Sequence, residues 1–359
     1  MESVSLTGEL CEWLLNPRDP ALRAKVLVEL LDRDENDSEV VQARERISQQ
    51  PWVKSTLKAF EREAVWAKDF YQKYRGPSWS LAHLVAVGLP GNHPVMQRGA
   101  EFLIERARPL SGLKGREAER YSGSEGFYWM HPIACLTSRM STILTHAGYA
   151  LHPVAKGARA TCIHAFDPEN GFSCMAIELS LIPGCVMAVP EVMKAMLVVA
   201  EKDRTPQEKK FLRDAAALLK KFGLYKYVPV ESKRWFDHTW KKPSNWVRGE
   251  KQRWLQKGLA EQRKEKPGWL KYSFPHGYNP DLIEVLLVLG EAGVKRDSVI
   301  DEGIEQVLSS RGADGKWKLT GGLNGKMWAD LDVKGKPSPW VTFHALKVLK
   351  LFGEVGGVE

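Results

Sequence analysis

The chain lacks any stretch of about eighteen consecutive apolar residues, the length that carries a helix across a bilayer. Its longer apolar runs, such as Ile182 to Val189, are broken by proline and glycine. The N-terminus, MESVSLTGEL, has acidic residues and no basic start, so no secretory signal is expected. Cysteine is scarce: five residues, an odd number without regular spacing, speak for a reducing compartment over a disulfide framework. Cytoplasm is the expected location. There is no glycine-rich phosphate loop, no nucleophile elbow and no His-Glu-x-x-His run. No segment alternates with period two, so no sheet is expected.

What is present is apolar residues throughout, 43% of the chain, enough for a sizeable core. They recur with helical spacing, and a helix–turn–helix pattern repeats. WSLAHLVAV at 79–87 runs into Gly88, then His93-Pro94, then Gly99. CLTSRMSTILTHA at 135–147 runs into Gly148, then His152-Pro153, then Gly157. DLIEVLLVLGEA at 281–292 runs into Gly293, then Asp297, then Gly303. A weaker copy ends at Gly223 and a last one, WVTFHALKVLKLF at 340–352, ends at Gly353. These glycines lie 60 to 75 residues apart, which suits one helical hairpin per repeat. Glycine supplies a left-handed stop for the first helix, and proline pre-sets the first turn of the second. A single hairpin cannot bury its own apolar face, so several must stack, as an open solenoid or a closed ring. The chain is expected to form one domain over 1–359. Its parts are N-terminal helices over 1–75, repeats over 76–230 and 268–355, and a basic, Trp-rich insertion over 231–267.

The stretch GIEQVLSSRGADGKW at 303–317, a helix closing on Asp-Gly-x-Trp, resembles the aromatic–glycine repeat of squalene cyclases and prenyltransferase β subunits. A degraded copy runs from Gly157 to Phe172. The closing helix from Trp340 follows Lys336-Pro-Ser-Pro and a loop with Met327 and Asp330, and it resembles a squalene-cyclase-like prokaryotic branch. The likeness covers most of the chain from about Trp79 onward. It implies an all-α fold, an α/α toroid whose inner helices ring a central, largely apolar cavity. It also implies carbocation cyclisation or prenyl transfer on an isoprenoid or similar hydrophobic substrate. The alternative is a non-catalytic toroid that binds a lipid, peptide or protein partner.

The candidate residues each carry a plainer reading beside the chemical one. Asp32-Arg33-Asp34-Glu35 mimics the acidic run of terpenoid cyclases but sits before a helix cap at Asp37 or Ser38, which reads as a solvated turn. Asp330 and Asp332, just before the final helix, are the catalytic candidates, as an acid pair with one shared proton or as a charged loop. The segments around Tyr128, Trp129 and His131, and around Tyr272, His276, Tyr278 and Asp281, lead into helices. With Trp79, Trp340 and His344 they line a cavity and favour a cation through ring faces, or they are core. Pro132 opens a helix in this reading, leaving His131 as its cap, and Asp281 caps the next.

His131 with Cys135 and Cys162 with His164 allow a Cys/His zinc site, but without a paired Cys-x-x-Cys caps and structural thiols explain them better, so no metal ligand is assigned and the cofactor is unknown. Arg139, with Arg234, suits a diphosphate or another anion. Between Trp240 and Trp269 lie nine basic and three acidic residues among four tryptophans, most of the net charge of +8. That segment suits peripheral membrane contact or a solvated insertion; nucleic acid is the weaker expectation.

Overall fold

The structure is a computed structural model, and it describes residues 8–173, 183–226, 228–229 and 263–354. It is mainly helical, 56% helix and 4% strand, with fourteen α-helices among the described residues. In chain order these are α1 (Gly8–Leu14), α2 (Pro20–Lys25), α3 (Ser38–Glu45), α4 (Pro51–Glu61), α5 (Pro77–Ala86), α6 (Pro94–Arg106), α7 (Arg116–Arg120), α8 (Ala134–Leu144), α9 (Pro153–Ala165), α10 (Ala188–Leu197), α11 (Pro206–Lys221), α12 (Leu282–Glu291), α13 (Ser298–Ser309) and α14 (Pro339–Leu351). The Trp-rich segment and Arg234 lie outside the described residues, apart from the last few residues of the segment.

The chain divides into two compact units: 1–105 with 142–150 and 268–359, and 106–141 with 151–267. The first holds α1 to α6 and α12 to α14. Three of its helices, α5, α12 and α14, are apolar nearly all round. On α12 every residue from Leu282 to Leu289 is buried, as befits an interior helix. The helices that follow α5 and α12 are one-sided instead. α13 buries Ile300, Gly303, Ile304 and Val307, and α6 buries Met96, Gly99, Ala100 and Leu103, both at the i, i+3, i+4, i+7 spacing of a single stripe.

The glycines that end the first helices behave as expected: Gly88, Gly148, Gly223, Gly293 and Gly353 all have positive φ, between 55° and 93°. Two others permit close packing. A Cβ on Gly99 would lie 2.6 Å from Leu81, and one on Gly290 would lie 2.9 Å from Leu351. The Asp-Gly-x-Trp turn explains its own residues. Gly315 turns the chain at φ 77°, and Trp317, fully buried, donates its indole N–H to the Val307 carbonyl at 2.8 Å. Its backbone N–H meets Thr342 Oγ1 at 3.0 Å, so one tryptophan joins α13 to α14.

The second unit holds α7, α9, α10, α11, most of α8 and the short strands. These are two or three residues long, in three small antiparallel sheets. The degraded repeat copy ends in one of them, with Phe166 paired to Phe172 and Gly171 at φ 84°. Its centre is ionic: Arg159 on α9, 2% exposed, meets Glu208 of α11, 4% exposed, at 2.5 Å. Glu208 also closes a capping box with Thr205.

One local expectation is overturned. Pro132 does not open a helix and His131 is not its cap, because α8 begins at Ala134. Tyr128 is held in a ribbon with Arg108, and the Pro132 carbonyl accepts from Tyr121 Oη at 3.2 Å. The chain between them reverses through Met130 at φ 55°, which places His131 in a bridge to Trp129 and in solvent.

Removing one partner of a buried ion pair strands the other charge, at a cost of about 3–5 kcal/mol. Arg159→Ala should therefore lower unfolding free energy by roughly that amount in urea denaturation. A loss below about 1 kcal/mol would show that Glu208 finds other partners.

Candidate functional site

The loop from Trp269 to Pro280 and the N-terminus of α12 build the most unusual polar arrangement in the first unit. Trp269 and Tyr272 are buried, and the Tyr272 carbonyl accepts from the backbone N–H groups of Thr320 and Gly321, which anchors the loop. Asp281 is the N-cap of α12. Its Oδ1 accepts from the Glu284 N–H at 3.0 Å and its Oδ2 from the Ser273 N–H at 2.8 Å. The same Oδ2 lies 3.0 Å from His276 Nε2, and His276 Nδ1 lies 3.5 Å from Glu284 Oε1. One imidazole is thus held between two carboxylates that are themselves only 2% and 5% exposed.

Beside it, α14 contributes rings. Phe274 stacks on Trp340 at 4.2 Å and 8°, and His344 lies 4.9 Å from Phe274 and 5.0 Å from Phe343. Burial, and then the neighbouring His276, hold the His344 imidazole well below its usual range, so it is neutral at physiological pH. A second group of rings continues from Tyr278, which lies 5.2 Å from Trp79 and 6.0 Å from Tyr71. Burial pushes the Tyr278 hydroxyl up to about 12.

Asp330 and Asp332 lie in different surroundings. Asp330 is exposed and accepts from the Gly325 N–H at 2.8 Å, a turn role. Asp332 accepts from Ser338 Oγ, the cap of α14, at 2.5 Å, and burial raises its carboxyl. Its electrostatic neighbour is Asp19, the N-cap of α2. Asp19 accepts from the Leu22 N–H at 2.9 Å, Gln50 Nε2 at 2.8 Å and Trp340 Nε1 at 2.9 Å. Burial raises Asp19 to about 6 and Asp332 adds to this, against the hydrogen bonds from Leu22, Trp340 and Gln50.

The structure therefore gathers Trp79, Tyr272, His276, Tyr278, Asp281, Trp340 and His344 in one unit. Tyr128, Trp129, His131 and Arg139 belong to the other. There Tyr128 packs on Leu110, Leu113 and Tyr121, Trp129 is buried, and Arg139, also buried, pairs with Glu191 at 3.3 Å. Cys162 is buried, its thiol donating to the Ala134 carbonyl at 3.6 Å, while His164 sits at the surface against Ser124. Among the described residues, no three His, Cys, Asp or Glu side chains come together to hold a metal ion. The Asp32–Glu35 run is a polar turn before Asp37, which caps α3 as expected. Two important residues escaped the sequence reading. Glu284 was signalled as the lone charge within LIEVLLVL, and Asp19 as an Asp-Pro cap.

No protein-family model, no curated protein and no solved structure matches the chain. No described helix is long and apolar enough to cross a membrane.

Asp19 gives the first unit a pH dependence of known sign. Its carboxyl sits near 6 when folded and near the ordinary value of about 3.9 when unfolded. Its stabilising contribution is then complete below about pH 4 and lost as pH rises through about 6, a change on the order of 3 kcal/mol. Asp19→Asn should flatten the stability profile between pH 4 and 7, measured by urea denaturation against the parent chain. Parallel profiles for the two proteins would refute this placement of Asp19.

Proposed function

We propose that the first unit binds a hydrophobic small molecule of isoprenoid class and acts on it as a terpenoid-cyclase- or prenyltransferase-like enzyme. In this proposal the repeated hairpins close as an α/α toroid, and the chemistry sits at His276. The observation that supports it is the imidazole held between two buried carboxylates, next to stacked rings and a neutral second histidine. Asp281 fixes the orientation of the ring through Nε2, leaving Nδ1 and Glu284 as a unit that can take up and return a proton. Faces of Phe274, Trp340 and Tyr278 favour positive charge as it develops on an apolar substrate. Asp332 and Asp19 hold the start of α14 and its Trp340 in place, and they support the site from behind.

A second reading, a binding protein without catalysis, draws on a particular feature. The Asp281 carboxylate is already engaged by two backbone N–H groups and one imidazole, as a purely structural cap would be.

Turnover separates the two readings. The purified chain is incubated with squalene, farnesyl diphosphate and geranylgeranyl diphosphate, and products are read by mass spectrometry. His276→Gln and Glu284→Gln should each cut kcat at least about 100-fold, the usual contribution of a general acid–base group, and Glu284→Gln should shift the pH profile. Asp330→Asn should leave turnover within about twofold, as a distant turn residue does. Unchanged kcat in both His276→Gln and Glu284→Gln would remove them from the chemistry, and no product from any substrate would favour the binding protein.

A further inference from the structure

Three separate segments of the first unit meet at a surface where rings and cations alternate. Tyr71, Lys73, Tyr74 and Arg75 precede α5. Gly277 and Tyr278 come from the loop before α12, and Lys326 and Trp328 from the loop before α14. Arg75 pins the last of these, with Nε donating to the carbonyls of Lys326 at 3.1 Å and Met327 at 3.2 Å. Trp328 Nε1 donates to Ser80 Oγ at 3.0 Å. Gly277 lets the segments close: a Cβ there would lie 3.1 Å from Leu323 and 3.6 Å from the Tyr74 ring.

Each cation lies over a ring. Lys73 Nζ is 4.9 Å from the Tyr278 centroid, the Arg75 guanidinium 5.8 Å from Trp328, and Lys326 Nζ 5.8 Å from Tyr74. None of the three forms an ion pair with a described carboxylate, whereas Arg23, Lys25, Arg98, Arg296 and Lys347 of this unit do. The rings of Tyr71, Tyr74, Tyr278 and Trp328 are all partly exposed, and the cations Lys73, Arg75 and Lys326 are exposed beside them. Asp69 and Asp330 are the exposed acids of these segments, outnumbered by Lys68, Lys73, Arg75, Lys326, Lys334 and Lys336.

We infer that this surface binds single-stranded nucleic acid, with bases on the tyrosine and tryptophan rings and phosphates on Lys73, Arg75 and Lys326. Positive charge without local acidic partners calls for a polyanion. Partly exposed flat rings set between the cations add a stacking requirement, which unpaired bases satisfy and a base-paired duplex does not. A lysine resting over a ring can swing to a phosphate and free that face for a base. Bilayer insertion fits less well, because Val333 is the exposed large aliphatic side chain of these segments and one valine is too small an anchor. The surface is also separate in sequence from the basic Trp-rich segment.

The test is fluorescence anisotropy with a labelled twelve-nucleotide oligo-dT and oligo-U, against a duplex of the same length and vesicles of phosphatidylcholine with phosphatidylglycerol. Three phosphate contacts predict a slope of log affinity against log salt of about −2 for the single strand. Lys73→Gln with Lys326→Gln, both at the surface, should flatten that slope by about 1.4 and weaken binding about 25-fold at 0.1 M salt. Tyr71→Leu should weaken it at least about fivefold with the slope unchanged. Circular dichroism checks that each variant keeps its helices. Salt-independent binding, preference for the duplex, binding to the vesicles alone, or full affinity in the lysine variant would each overturn the assignment.

Discussion

A single half-buried carboxylate, Asp19, ties the beginning of the first unit to its end. Its two oxygens take the N–H of Leu22, the amide of Gln50 and the indole of Trp340, which lies 321 residues further along the chain. No cation lies among these partners, so three neutral donors stabilise the charge, and burial still outweighs them. Gln50 gives an N–H to this carboxylate, and its buried Oε1 has no hydrogen-bond partner among the described residues, a cost of about 1–3 kcal/mol. The contact is therefore costly to hold, and it fixes the ring that Phe274 stacks on. The position of His344 one turn further along α14 follows from it.

The same economy shapes α12. A helix buried on every side has no solvent-facing stripe on which to place a charge, yet Glu284 sits inside it. The imidazole of His276 meets it at 3.5 Å, and His276 is aimed by the cap residue Asp281, so the device that starts the helix also sets the histidine. In the proposed function, capping and chemistry share the same atoms. In the second unit the buried ion pair of Arg159 and Glu208 does comparable structural work, with Glu208 again serving as both cap and partner.

Much of the fold was legible in the residues, because its signals are local. Gly88, Gly148, Gly223, Gly293 and Gly353 each mark a left-handed stop, and the single stripes of α6 and α13 follow from sequence spacing. The site was legible in part. His276 and Asp281 stand out ahead of α12 and Trp340 and His344 within the last helix, and the structure brings these four into one unit. The electrostatic influence of Asp332 on Asp19, more than three hundred residues apart in the chain, is something no spacing rule encodes. His131 was misread because Pro132 looks like a helix start, and the left-handed Met130 is a tertiary outcome of where Tyr128 and Pro132 are held. The ion pair of Arg139 with Glu191 joins two helices, which spacing along the chain does not show.

The most direct measurement is native mass spectrometry of the chain purified without detergent, followed by extraction with organic solvent. A seat for a hydrophobic molecule beside Phe274, Trp340 and His276 predicts a one-to-one adduct. That adduct should be lost on extraction and restored by adding squalene or farnesyl diphosphate. A chain that runs at its bare mass, and stays there after incubation with both compounds, would contradict the account.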